Sequence, residues 1–167
     1  LDSVRHGKNP MVKILLSLTS GILLLLTSSL HAFVQTGELH VLPEARAVGS
    51  GKLTWFGMTV YHATLYAPGG KFKPDRPHAI EITYQREFSR EQLAQASLKE
   101  IERVAGPQPN GRYLVNQLSS VFRDVVRGDR IIGLHYPGQE AVFYSDGVLT
   151  GRLQNPSLAA AFFDIWL

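Results

Sequence analysis

The sequence contains no cysteine among its 167 residues. That absence excludes disulfides, thiolate metal sites, thiol nucleophiles and the lipid-modified cysteine that tethers bacterial lipoproteins. The fold has to stand on its core alone. Runs of Lys or Arg are also lacking, so there is no footprint for a phosphate backbone and nucleic acid is not an expected partner. Long apolar runs are nearly absent as well. The exception, Ile14 to Leu26, falls short of the roughly 20 apolar residues a spanning helix needs and is interrupted by Ser17, Thr19, Ser20 and Gly21.

That run follows Met11 and Lys13 and precedes Thr27-Ser28-Ser29 and the small residue Ala32. Basic, apolar and small segments in that order make residues 11–32 a secretory signal peptide. Residues 1–10 are then an upstream extension, and a single domain is expected over 33–167. Cleavage near Ala32 places it in the periplasm or outside the cell, with no stable membrane span. Losing Arg5, Lys8 and Lys13 with Asp2 takes the chain from 17 basic and 14 acidic side chains to 14 and 13, a net charge of +1.

Residues 33–48 are mixed and read as a short arm or strand pair. Lys52 to Tyr66 is β-branched, aromatic and alternating, with Leu53, Trp55, Thr59, Tyr61, Ala63 and Leu65 on one face and a turn at Gly57. Ala79 to Gln85 is a second strand region, with Ile80, Ile82 and Tyr84 on one face. Ser89 and Gln92 form a capping box, and Leu93, Ala96, Ser97, Ile101 and Val104 give the helix its apolar stripe until Gly106-Pro107 stops it. A second helix follows Asn110, with Leu114, Leu118, Val121, Phe122 and Val125 in register up to Gly128. Strands at Arg130 to Tyr136, Glu140 to Ser145 and Val148 to Leu153 form a meander through the Asp146-Gly147 turn. Asn155-Pro156 caps a last helix with Leu158, Phe162, Ile165 and Trp166 on its stripe. This order predicts an α+β fold, an antiparallel β-sheet with helices packed on one face.

Catalytic motifs are scarce. Gly49-Ser50-Gly51-Lys52 lacks the spacing of a phosphate loop and reads as a strand-entry turn. Arg127-Gly128-Asp129 reads as a turn. No serine sits in a nucleophile elbow. His40, His62, His78 and His135 show no ligand spacing and read as surface or edge residues, so neither metal nor cofactor is expected. Glu100 and Glu102 read as solvated charges rather than a carboxylate pair.

Gly51 to Tyr66, Val126 to Ile131, Tyr144-Ser145-Asp146-Gly147 and Ala161 to Leu167 together resemble, in order, the motifs of the exported bacterial chalcone isomerase-like family. The resemblance implies an open-faced β-sandwich. Plant enzymes of this superfamily use an Arg before the first long strand, a Thr within it and a Tyr in the following helix to stabilise an enolate. Here those places fall near Gly51, with Lys52 adjacent and Arg46 upstream, at or near Tyr61, and at Leu93. A leucine donates no hydrogen bond, so the resemblance implies the fold without plant-type cyclisation, and no catalytic residue is assigned. Non-catalytic members of the superfamily bind fatty acids, which implies a sheet–helix cleft. Trp55, Tyr61, Leu93, Ile101 and Phe122 are its candidate lining, with Tyr61, Lys52 or Arg46 meeting a carboxylate. The alternatives are an isomerase or intramolecular lyase with another donor set, and an envelope protein-interaction domain.

Overall fold

The computed structural model describes residues 42–167. The expected extension 1–10, the signal peptide 11–32 and most of the arm lie outside them. Ala45–Trp55 (β1) and Met58–Pro68 (β2) pair antiparallel around a two-residue turn, Phe56-Gly57, whose φ angles are +47° and +75°. Gly49-Ser50-Gly51-Lys52 lies inside β1, paired with Leu65 to His62 of β2, and so is strand rather than turn. The strict alternation expected across β2 also breaks. Thr54 pairs with Thr59 and Leu53 with Tyr61, which leaves Val60 as an extra residue in a bulge. The bulge lets Val60 and Tyr61, neighbours in sequence, both face the helices.

His78–Tyr84 (β3) keeps the expected alternation, with Ile80, Ile82 and Tyr84 in the main core. The helix Arg90–Ala105 (α1) starts where the capping box requires: Ser89 Oγ accepts from the Gln92 amide at 3.2 Å, and Gln92 Oε1 accepts from the Ser89 amide at 2.8 Å. Gly106, at φ +85°, ends it. Its stripe is shorter than expected, because Val104 is exposed while Leu93, Ala94, Leu98, Glu100 and Ile101 are buried. The second helix, Gly111–Val121 (α2), stops well before Gly128. Phe122 is already extended, and Val125 exchanges two backbone hydrogen bonds of 2.9 Å with Phe88. Val125 is buried by that bridge rather than by a helical turn.

Arg130–His135 (β4), Ala141–Ser145 (β5) and Val148–Leu153 (β6) complete the meander, with Asp146 and Gly147 at φ +46° and +88°. Pro156–Asp164 (α3) is capped by Asn155, whose side chain accepts from the Leu158 amide at 3.1 Å. The six strands run β1-β2-β3-β4-β5-β6, every pair antiparallel. All three helices lie on one face, the α+β open sheet expected from the element order. The core between them holds Ile80, Ile101, Leu118, Phe143 and Phe163. α2 docks so closely on β6 that a side chain at Gly151 would meet Val121 at 3.0 Å. The opposite sheet face carries a smaller cluster of Leu42, Ala79, Ile132, Leu134 and Val142, beside an Arg130–Glu81 ion pair at 3.6 Å.

His78 and His135 are not surface residues. They face each other across β3 and β4, 2% and 5% exposed, with ring centroids 5.0 Å apart, and Phe163 stacks on His135 at 4.7 Å. His62 is exposed, and His40 lies outside the described residues. His78 Nδ1 donates to the Arg76 carbonyl at 2.9 Å, which leaves Nε2 as the acceptor facing His135 Nδ1 at 3.4 Å. His135 Nε2 is buried with no partner. Burial, then the neighbouring His78, pushes the His135 pKa down from 6.5 to about 4, and burial lowers that of His78. Between those values the unfolded chain binds a proton that the folded His135 refuses. Stability is therefore complete above about pH 6.5 and falls as pH drops toward 4, by about 3 kcal/mol from His135. Thermal melts from pH 7.5 to 4.5 should show a steeper acid decline for the native chain than for His135→Phe; parallel declines would refute this origin.

Candidate ligand cleft

Six strands are wider than the three helices that cover them. α2 and α3 lie against β6 and β4, while α1 packs chiefly on its sister helices. Over β1–β3 the helical layer does not close. The result is a cleft of about 680 Å³ between sheet and helices. Leu53, Trp55, Val60 and Tyr61 supply one wall, Ile80, Ile82 and Tyr84 the floor, Leu93, Ala96 and Ser97 of α1 the roof, and Phe122, Phe143, Phe162 and Trp166 the inner end. Inner aromatic rings meet edge-on or tilted, Phe122 with Phe143 at 5.5 Å and Tyr61 with Trp166 at 5.5 Å.

Of the residues expected from the sequence to form the site, Trp55, Tyr61, Leu93 and Phe122 line this cleft together. Ile101 is buried in the core close by rather than on the lining. Arg46 and Lys52 do not line it. Lys52 alternates with Leu53 and pairs with the exposed His62 on the other face. Arg46 lies seven residues up β1 from Leu53, about 23 Å along an extended strand. The exposed cations on the rim are instead Arg86, which touches Met58 Sδ, and Lys99, with Glu87 beside them.

Glu100 corrects the reading of a solvated charge. It is 4% exposed and lines the cleft, with Oε2 accepting from Arg103 Nε at 2.6 Å. The helical wheel carried the signal: two turns beyond Leu93, it stands within about 20° of the same face. Burial, then the Glu100 charge, pushes the Tyr61 pKa up to about 12, and burial, then Tyr61, raises that of Tyr84. Both phenols stay protonated donors at any physiological pH. The Ser97 hydroxyl is spent on the Leu93 carbonyl at 2.8 Å, and the buried Trp166 indole N–H has no partner. No group of three metal-ligating side chains occurs among the described residues.

A meander sheet with helices on one face and an apolar cleft between the layers defines the architecture of an open-faced sandwich. Residues 48–167 match the family model described as chalcone isomerase-like, and the chain belongs to that family. No curated protein matches the chain. Among solved structures, a fatty-acid binding protein of Arabidopsis thaliana superposes with a TM-score of 0.57 at 15% identity, over 74% of this chain and 79% of that one. At that identity the likeness is one of fold.

A carboxylate held in an apolar cleft by one half-exposed arginine is costly to orphan. Arg103→Ala should lower stability by about 1–2 kcal/mol, whereas Glu100→Leu should change it by less than about 1 kcal/mol or raise it. Denaturant melts of both variants check the pair, and equal losses would contradict the burial argument.

Proposed function

We propose that this domain is a non-catalytic binder that takes the tail of an apolar carboxylate, such as a fatty acid, into the sheet–helix cleft. The observation that carries this reading is the one-sided polarity of the cleft. Its depth is aliphatic and aromatic, its one buried charge is the acid Glu100, and its cations Arg86 and Lys99 stand on the exposed rim. A tail enters the depth, Glu100 repels the head from following, and the rim cations hold it. The fold is shared with a fatty-acid binding protein, which agrees with this assignment. Leu93, apolar and buried where the plant enzymes place a donor, favours binding over cyclisation. We place the protein outside the cytoplasm, after removal of residues 11–32. Mass measurement of the protein from the native envelope fraction should find an N-terminus near Phe33.

Ala96, half-buried on the roof, allows the cleft to be filled without cutting the core. Displacement of a fluorescent long-chain fatty acid should be weakened at least about tenfold in Ala96→Trp, corresponding to the loss of about 1.4 kcal/mol of tail burial. Replacing Arg86 and Lys99 by Ala should weaken the acid about two- to fivefold and leave a fatty alcohol unaffected, as expected for exposed ion pairs. An Ala96→Trp variant that binds as well as the native chain would reject the cleft as the site.

A further inference from the structure

We propose that the β1–β2 turn, Trp55 to Met58, docks this protein on an anionic phospholipid surface and holds the rim of the cleft against it. The turn is the most exposed aromatic feature among the described residues: Trp55 is 53%, Phe56 84% and Met58 45% exposed. Phe56 sits at φ +47°, the first central position of a turn that Asn, Asp or Gly occupies with less strain. Among the described residues, the one aromatic ring it meets is that of the adjacent Trp55, at 5.1 Å. An aromatic side chain is thus kept, at a conformational cost, where folding gains little from it. Trp55 also lines the cleft, so whatever buries the turn faces the entrance.

The charges beside the turn select the partner. Arg86 touches Met58, Lys52 is exposed on β1 and Lys99 is exposed on the rim; none of the three is in an ion pair among the described residues. Glu87 is the acid lining the same rim. A Trp-Phe-Met tip with Arg86 in contact, Lys52 exposed on β1 and Lys99 exposed on the cleft that Trp55 also lines has the chemistry of an interfacial anchor, where aromatic rings settle at head-group depth and lysines and arginines are drawn to anionic lipid. One turn is too small for a stable protein interface, which buries roughly 800 Å² per partner. A lipid surface needs only the tip. Docking there would let an apolar ligand pass between bilayer and cleft without crossing water, a consequence that rests on the proposed binding function; the docking itself does not.

The protein has two tryptophans, so Trp166→Phe in the full chain leaves Trp55 as the sole reporter. With vesicles of brominated phosphatidylglycerol, Trp55 emission should shift to the blue and be quenched. The quenching should fall about tenfold in vesicle affinity with neutral brominated phosphatidylcholine or in 0.5 M salt, and by a similar factor in Phe56→Asn. Phe56→Asn should melt no lower than its parent, since Asn suits the turn. Because the signal is the depth of Trp55 itself, attachment through residues 14–26 does not produce it. Unquenched Trp55, quenching that Phe56→Asn leaves intact, or a dimer that Phe56→Asn dissolves without lipid would each overturn the proposal.

Discussion

The structure depends on a mismatch of widths. A six-stranded antiparallel meander presents one long apolar face, and three short helices are not enough to cover it. Where α2 and α3 are drawn tight, little room is left beside the sheet: a Cβ on Gly133 would meet Phe163 at 3.0 Å and Phe143 at 3.1 Å, and Gly151 leaves the same small allowance for Val121. That close packing closes the inner end of the cleft. Over β1–β3 the cover is lost, and the face that alternation dedicates to burial becomes the lining of a cleft. The capping box at Ser89 and the Phe88–Val125 bridge matter because they fix where α1 begins, and hence how wide that opening is.

Within the cleft, electrostatics divide depth from rim. Burial keeps Tyr61 and Tyr84 protonated and leaves Glu100 as the acid inside, paired outward to Arg103. The cations that remain for a ligand stand at the edge, next to the strained aromatic turn. Depth selects for apolar bulk, the rim for negative charge, and the turn for contact with a surface. The turn and the rim cations come from β1, β2, α1 and the link before α1, whereas the depth draws on β3 and on the aromatic residues Phe122, Phe143, Phe162 and Trp166 from farther along the chain.

Much of the fold was legible in the sequence because its punctuation is local. Ser89/Gln92, Asp146-Gly147 and Asn155-Pro156 act through side chains and φ angles two or three residues away, and each stands where the residues placed it. Tertiary pairing was not legible. The stripe ending in Phe122 and Val125 has helical spacing whether the chain coils or turns to bridge Phe88, and only the partner strand decides. The bulge at Val60 is likewise invisible to a period-two reading. Four apolar candidates came together in the cleft because strand and helix periodicity locate faces. The cationic ones, Arg46 and Lys52, did not, because alternation sets Lys52 on the face opposite Leu53 and Arg46 lies far up the same strand. Glu100 and the buried His78–His135 pair are not legible from residue type, because helical phase and cross-strand register set burial here.

On the proposed function, the uncovered end of the sheet holds an apolar molecule. Native mass spectrometry of the protein recovered from its own cell envelope, followed by extraction and identification of bound small molecules, is the decisive measurement. A complex heavier than the polypeptide by one long-chain carboxylate is expected. A protein that emerges without a small molecule and takes up none from a mixed lipid extract would contradict it.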